Sequence, residues 1–182
     1  MWSVNQNLAS IGVGNLEKVV KSGEIYILTN GTRLNKLKVE SGGFLWIGMG
    51  EMFVGELQLE AGSMVDFSNP GYSTILHVGQ NVIWRANVDL TGINPNKIRD
   101  KMFDIAEGFK MIYHESNPLF IEGAWAGTIY APKAKLVLGQ ANKTIYGRFV
   151  GNGISVHQYA KLNAVRWIPK RESNIVYLNK GE

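Results

Sequence analysis

Glu40 and Glu60, twenty positions apart, are the residues whose type and spacing come nearest to hydrolytic chemistry. A glycosidase works with two carboxylates set roughly 5 to 10 Å apart. Strands one coil apart in a stack, spaced by about 4.8 Å, would bring such a pair together. Lys38 stands beside Glu40, however, and a solvated charged ladder at a sheet edge explains both glutamates. Asp66, Asp89, Asp100 and Asp104 do not fall on one repeat position, so neither an acid/base pair nor a calcium cradle assembles from them. His77, His114 and His157 are far apart and none has a partner at metal-ligand spacing, so each reads as a strand residue. No EF-hand pattern occurs, and a structural calcium held by loop carbonyls leaves no mark in a sequence. Gly-x-Gly occurs at 12–14, 48–50 and 151–153 without the full spacing of a phosphate loop, which fits corner glycines better. The expectation is a protein without catalysis and without a cofactor.

Composition narrows the class further. With 182 residues, 45% hydrophobic and 19% charged, the chain has the length and balance of one globular domain. No apolar run reaches the ~18 to 20 residues of a membrane span, and residues 1–5 lack the pattern of a signal peptide. The absence of cysteine excludes disulfides and thiolate metal sites. The net charge of +4 is scattered, and Lys170-Arg171 reads as a solvated tail, so neither nucleic acid nor membrane is expected as a partner. Glycine is high at 21 residues while proline is only 5, which suggests many tight turns between short strands.

The elements that would position any site emerge from a repeat. At an offset of 20, Leu37-Lys38-Val39-Glu40 falls on Leu57-Gln58-Leu59-Glu60. Val19, Val39 and Leu59 then share a column, as do Ile25, Leu45 and Val65, and Ile27, Ile47 and Phe67. Ser22, Gly42 and Gly62 mark a corner of small residues. Downstream, Gly127 falls on Gly147, Ile129 on Phe149 and Leu136 on Val156, and Leu76-His77-Val78 continues the first array with a slip to 19. A period near 20 signals a solenoid, and alternating apolar residues within each coil signal strands rather than helices. The fold expected is an all-β, single-domain parallel β-helix of about 20 residues per coil, right-handed by the general preference of parallel crossovers. Coil arrays occupy about 16–90 and 109–167, with a C-terminal tail over 168–182. Between them Asn94-Pro95 followed by Ile98, Met102 and Ile105 predicts a capped amphipathic helix ending near Gly108. A strand pair at 109–113 and 119–121 follows it.

This register predicts a binding face. With Ile25, Ile27, Leu45, Ile47, Val65 and Phe67 inward, Tyr26, Trp46 and Asp66 point out, with Arg85 next after the slip. Rungs about 4.8 Å apart approximate the advance of a β-1,4-linked pyranose chain, so neighbouring rungs can underlie successive sugars. Tyr26 and Trp46 would supply flat platforms for sugar C–H faces, and Asp66 and Arg85 charge-assisted hydrogen bonds to hydroxyls. Tyr130 and Tyr146 form a second outward pair, and Phe53, on a column with Arg33 and Ser73, is a further exposed candidate. Trp125, on the Ile145 column, and Trp84, on the Ile25/Leu45/Val65 column, read as core, while Trp2 and Trp167 read as end caps.

The segment AWAGTIYAPKAKLVLG at 124–139, with IYGRFVG at 145–151 and Ile154-Ser155-Val156-His157, has the cadence G-x-I-Y-A-P-x-A-x-V-x-L. It resembles coils of bacterial surface and secreted solenoid domains of the choice-of-anchor A and pilus-associated kind, over about 124–167. In architecture and composition the whole chain also resembles β-helix carbohydrate-binding modules such as the xylan-binding family 89. These resemblances imply a secreted, extracellular, monomeric module appended to a glycoside hydrolase and binding xylan or a related β-glycan. A structural or adhesive surface domain is the alternative, and a small polysaccharide lyase or hydrolase the third reading.

Overall fold

The structure, a computed structural model, describes residues 14–68, 72–140 and 142–165. Trp2, Trp167, Gly12 and the Lys170-Arg171 tail lie outside the described residues. The chain is a parallel β-solenoid of about seven turns with one short helix, as the repeat predicts. One wall, sheet A, contains β1 (Glu17–Val20), β3 (Arg33–Val39), β5 (Gly50–Leu59) and β7 (Thr74–Trp84). It continues through β9 (Phe109–Tyr113) and β10 (Leu119–Ile121), then β11 (Trp125–Leu138), β12 (Thr144–Val156) and β13 (Lys161–Ala164). The strands β9 and β10 share one rung, since both pair with β7 on one side and β11 on the other. The other wall, sheet B, is β2 (Ile25–Leu28), β4 (Phe44–Ile47), β6 (Met64–Phe67) and β8 (Asn87–Val88).

Sheet B stops after β8, and a helix takes its place against the lower coils. Asn94 caps a 3-10 turn, Pro95–Lys97, through a 3.0 Å hydrogen bond from the Asn96 amide to its side chain. The turn runs into α1 (Ile98–Gly108), which buries Met102, Ile105 and Ala106 and packs on β11 and β12. Asp104 and Glu107 face solvent, as the amphipathic spacing requires.

Apolar ladders between the walls form the core. Val20, Val39, Leu59, Trp84, Ile121 and Leu138 follow one another rung by rung, and all are buried. Sheet B contributes Leu45, Val65 and Val88 on one column and Leu28, Ile47 and Phe67 on another. Each such side chain contributes roughly 1.5 to 3 kcal/mol by leaving water.

The register of the first coil corrects the uniform offset of 20. Val20 pairs with Val39 and Tyr26 with Leu45, an offset of 19, so Val19 is exposed and Ile25 and Ile27 face outward. The corner column is accordingly Gly23, Gly42 and Gly62, joined by amide-to-carbonyl hydrogen bonds of 2.9 and 3.0 Å. All three have left-handed φ, between 76 and 84°. A Cβ at Gly42 would also stand 2.4 Å from Ser22 Oγ. Gly42→Ala is therefore expected to lower the unfolding free energy by about 1 to 2 kcal/mol, measured by urea denaturation, and an unchanged midpoint would contradict this corner geometry.

The slip further along is also different. Met52 pairs with Leu76 and Val54 with Val78, because the connection between Phe67 and Thr74 is longer than its counterpart between Ile47 and Gly50. Leu76-His77-Val78 thus continues the Met52–Val54 half of β5, and Leu57 pairs with Val82. Trp84 is core as expected, but on the Leu59 column of sheet A. In the second array Gly127 pairs with Gly147 and Ile129 with Phe149, whereas an irregularity after Ala131 sets Leu136 against Ile154 rather than Val156.

Candidate functional site

Two outward columns of sheet B stand side by side over three rungs. Ile25, Phe44 and Met64 make one, and Ile27, Trp46 and Asp66 the other. Ile25 is 66% exposed, Ile27 54% and Trp46 40%, which makes an apolar platform with the indole near its centre. No ring contact to Trp46 occurs among the described residues. Strand alternation fixes this arrangement, since Leu45 and Ile47 on either side of Trp46 are fully inside.

The lower edge of the platform is polar. Lys101 of α1 reaches across to place Nζ 3.0 Å from Asp66 Oδ1 and donates to the Asp89 carbonyl at 2.8 Å. The Asp66 contact is an ion pair rather than an aligned hydrogen bond, and among the described residues that carboxylate oxygen has no hydrogen-bond donor of its own. On the next column Lys143 donates to Asn87 Oδ1 at 3.0 Å. Asp89 Oδ1 accepts from the backbone amide and hydroxyl of Thr91, and these bonds hold its carboxyl below the usual carboxylate range.

Of the residues expected on this face, Trp46 and Asp66 are there and Tyr26 and Arg85 are not. Tyr26 lies on the inner Leu45 column and is packed against the core, with Lys18 Nζ 5.6 Å from its ring centroid. Arg85 sits at a corner after β7, level with Glu60, because the long 68–73 connection carries it off the Asp66 column. Its Nε donates to Glu122 Oε2 at 2.5 Å, and its Nη1 lies 3.9 Å from Glu60 Oε2. Glu40 and Glu60 do share a column, but each has a local partner: Lys38 at 3.3 Å from Glu40 and Gln58 donating to Glu60. Arg85→Ala is expected to change stability by less than about 1 kcal/mol in a denaturation curve, as exposed ion pairs do.

The second expected pair is separated. Tyr130 points outward from sheet A, but Tyr146 packs edge-on against Phe103 of α1, with centroids 5.4 Å apart. A Cβ at Gly147 would fall 1.9 Å from the Gly127 carbonyl, so the two strands approach closely here. With α1 lying outside them, this stretch is covered on both sides, and Trp125, paired with Ile145, is core as expected.

Tyr130 belongs to an outer column of sheet A of which the sequence displayed only Arg33 and Phe53. It runs Arg33, Phe53, His77, Ile112, Tyr130, Val150. The Arg33 guanidinium lies 4.0 Å over the Phe53 ring, and Phe53 and His77 stack at 4.7 Å with 9° between planes. Phe53 thus joins Arg33 as expected, with His77 rather than Ser73 beneath it. The fold also unites two histidines whose sequence separation gave no hint of it: His77 Nδ1 is 2.9 Å from His114 Nε2, and His77 Nε2 is 2.7 Å from Glu51 Oε1. Burial, with lesser contributions from His77 and Lys133, pushes His114 down to about 4. Its Nδ1 is buried without a hydrogen-bond partner among the described residues. Burial likewise pushes the Tyr113 phenol up to about 12, and its hydroxyl donates to the Gln80 carbonyl at 2.9 Å. Among the described residues no three His, Asp or Glu side chains surround a common point for a metal ion, and no helix is long and apolar enough to cross a membrane.

No family model matches the chain, and neither a curated protein nor a solved structure matches it.

Proposed function

We propose that the protein is a non-catalytic polysaccharide-binding module that takes an extended β-linked glycan, xylan or a related plant cell-wall chain, across the outer face of sheet B. The observation that carries this reading is the exposed, ring-unpartnered indole of Trp46 within an apolar platform that ends in a polar rim. A sugar presents an apolar C–H face and a polar hydroxyl edge, and an indole with charged groups beside it complements both. Rungs spaced at about 4.8 Å match the advance of successive sugars along the stack. Asp66 and Lys101 then take hydroxyls at the lower end of the platform. Sheet A is the poorer platform, because Phe53 and His77 spend their faces on each other. In this reading the chain works extracellularly and as a monomer, holding an appended glycoside hydrolase near its substrate, as the resemblance of its coils to secreted solenoid domains suggests.

Affinity gel electrophoresis against xylans, mixed-linkage glucan, mannans and pectins tests the proposal. Retardation by a β-glycan is expected, and no retardation by any of them would overturn it. The aliphatic Ile25 and Ile27, which offer a sugar no hydrogen bond, favour a second reading in which this face joins another copy of the chain in a surface assembly. Sedimentation velocity separates the two: a concentration-dependent dimer abolished by Ile27→Asp supports the second reading, and a monomer at every concentration rejects it.

A further inference from the structure

At the lower end of the sheet B face, Asn87 follows Ile25, Phe44 and Met64 on the first outward column. Lys143, immediately before β12, places Nζ 3.0 Å from Asn87 Oδ1. Its backbone is held on both sides: Asn142 turns the chain with φ at 66°, the Lys143 amide donates to the Gln140 carbonyl at 3.1 Å, and the Lys161 amide donates to the Lys143 carbonyl at 3.0 Å. An ammonium only donates hydrogen bonds, so this contact sets the orientation of the Asn87 amide and turns its Nδ2 protons away from the lysine. Among the described residues nothing accepts from Asn87 Nδ2, and no carboxylate pairs with Lys143. Lys36, Lys38 and Lys101, by contrast, each hold a carboxylate, at 2.9, 3.3 and 3.0 Å. Lys143 is half-buried, and a cation partly withdrawn from water beside a neutral amide lacks the counter-charge that would offset its desolvation.

We propose that Lys143 Nζ and Asn87 Nδ2 receive a carboxylate, the uronic-acid side group of a glycan whose neutral β-linked backbone lies on Trp46. The inference rests on the reading of sheet B as a glycan platform and names the class of glycan it selects. Donors on two different side chains suit the two oxygens of one carboxylate, and bonds to an ionised acceptor are roughly twice as strong as neutral ones. A uronate carried on a side group fits better than one within the backbone. The surface under the backbone is the apolar set Ile25, Ile27, Phe44 and Trp46, while the cation without a counter-charge stands at its lower edge. Trp46 lies on β4 and Asn87 on β8, two rungs lower, or about 10 Å along the stack. The sugar on the indole and the sugar bearing the acid are therefore about two units apart. The carboxylates nearby are already engaged, Asp66 by Lys101 and Asp89 by the amide and hydroxyl of Thr91, which leaves Lys143 to the ligand.

The test is calorimetric titration of the full chain with glucuronoxylan and with the same polymer after its carboxyl groups have been reduced to alcohols. The acidic polymer is expected to bind about tenfold tighter than the reduced one, as a hydrogen-bonded charge pair implies. That ratio should fall to about one in K143Q. It should fall equally in N87D, which sets a carboxylate of the protein's own against Lys143. K135Q, which removes the same charge from an exposed position on sheet A, should keep it. Equal affinity of the parent for the two polymers would overturn the inference and leave the sheet B platform standing, as would a preference that persists in folded K143Q. Binding of neither polymer would overturn it together with the assignment of xylan to this face.

Discussion

Trp84→Ala is expected to remove about 3 to 5 kcal/mol of unfolding free energy, the largest effect of any single substitution considered. The side chain is 1% exposed and stands on the ladder between Leu59 and Ile121, where the coil carrying α1 begins. Its ring meets Trp125 edge-on at 4.7 Å and lies 6.3 Å from Phe109, and Nε1 donates to the Ala124 carbonyl at 3.0 Å. Truncation opens a cavity that the rungs above and below cannot close, because their backbones are tied by parallel ladders. It also strips the Ala124 carbonyl of its donor. Since small domains are stable by only about 5 to 15 kcal/mol, urea denaturation should show a large fall in midpoint. Trp46→Ala, at an exposed indole, should move it by less than about 1 kcal/mol. Equal losses from the two tryptophans would contradict the inside–outside assignment of both walls.

The second large effect is acid destabilisation through His114. Its pKa in the folded chain is about 4 against an ordinary 6.5, so in that interval the unfolded chain binds a proton that the folded chain does not. Stability therefore rises with pH across the interval and is lost as pH falls from about 6.5 to about 4. Burial of the ring sets most of this shift, and His77 and Lys133 lower it further. The full shift would correspond to a ceiling of roughly 3 kcal/mol, and solvent screening at a half-buried ring reduces it to on the order of 1 to 2 kcal/mol. Protonation of carboxylates also contributes to acid unfolding, so the informative quantity is the difference between the parent and His114→Gln. The parent should lose more stability than the variant between pH 6.5 and 4. Parallel curves would show that His114 is not held neutral by the fold.

The fold class was legible because the repeat is carried by two signals at once, alternating apolar residues and corner glycines. Where the signals disagree, the glycines are the better guide. Both Val19 and Val20 can join Val39, and the segment Ile25-Tyr26-Ile27-Leu28 is apolar in either phase, so hydrophobicity alone leaves the first coil undecided. Ser22-Gly23 against Ser41-Gly42 decides it, because only glycine takes the left-handed corner cheaply, and that match has an offset of 19. This one-residue choice turned Tyr26 inward and brought Ile27 above Trp46. Arg85 was misplaced for another reason, the added length between Phe67 and Thr74, which the repeat does not measure.

Tyr146 and the histidine pair mark what the sequence could not supply. The helix was readable from Asn94-Pro95 and its apolar spacing, yet the wall it would cover was not, so Tyr146 read as exposed. His77 and His114 belong to adjacent rungs only because the coil between them holds the helix. A long insertion within one coil hides such neighbours from any fixed period. Trp46 and Asp66 were found because their rungs lie where the period of 20 holds.

The most direct test of the binding site is affinity electrophoresis of the parent, Trp46→Ala and Tyr26→Ala on the polysaccharide that retards the parent. Trp46→Ala is expected to weaken binding at least about tenfold, or roughly 1.4 kcal/mol, at unchanged stability, while Tyr26→Ala retains it where folded. Retardation of Trp46→Ala equal to that of the parent would contradict the assignment of the glycan to sheet B.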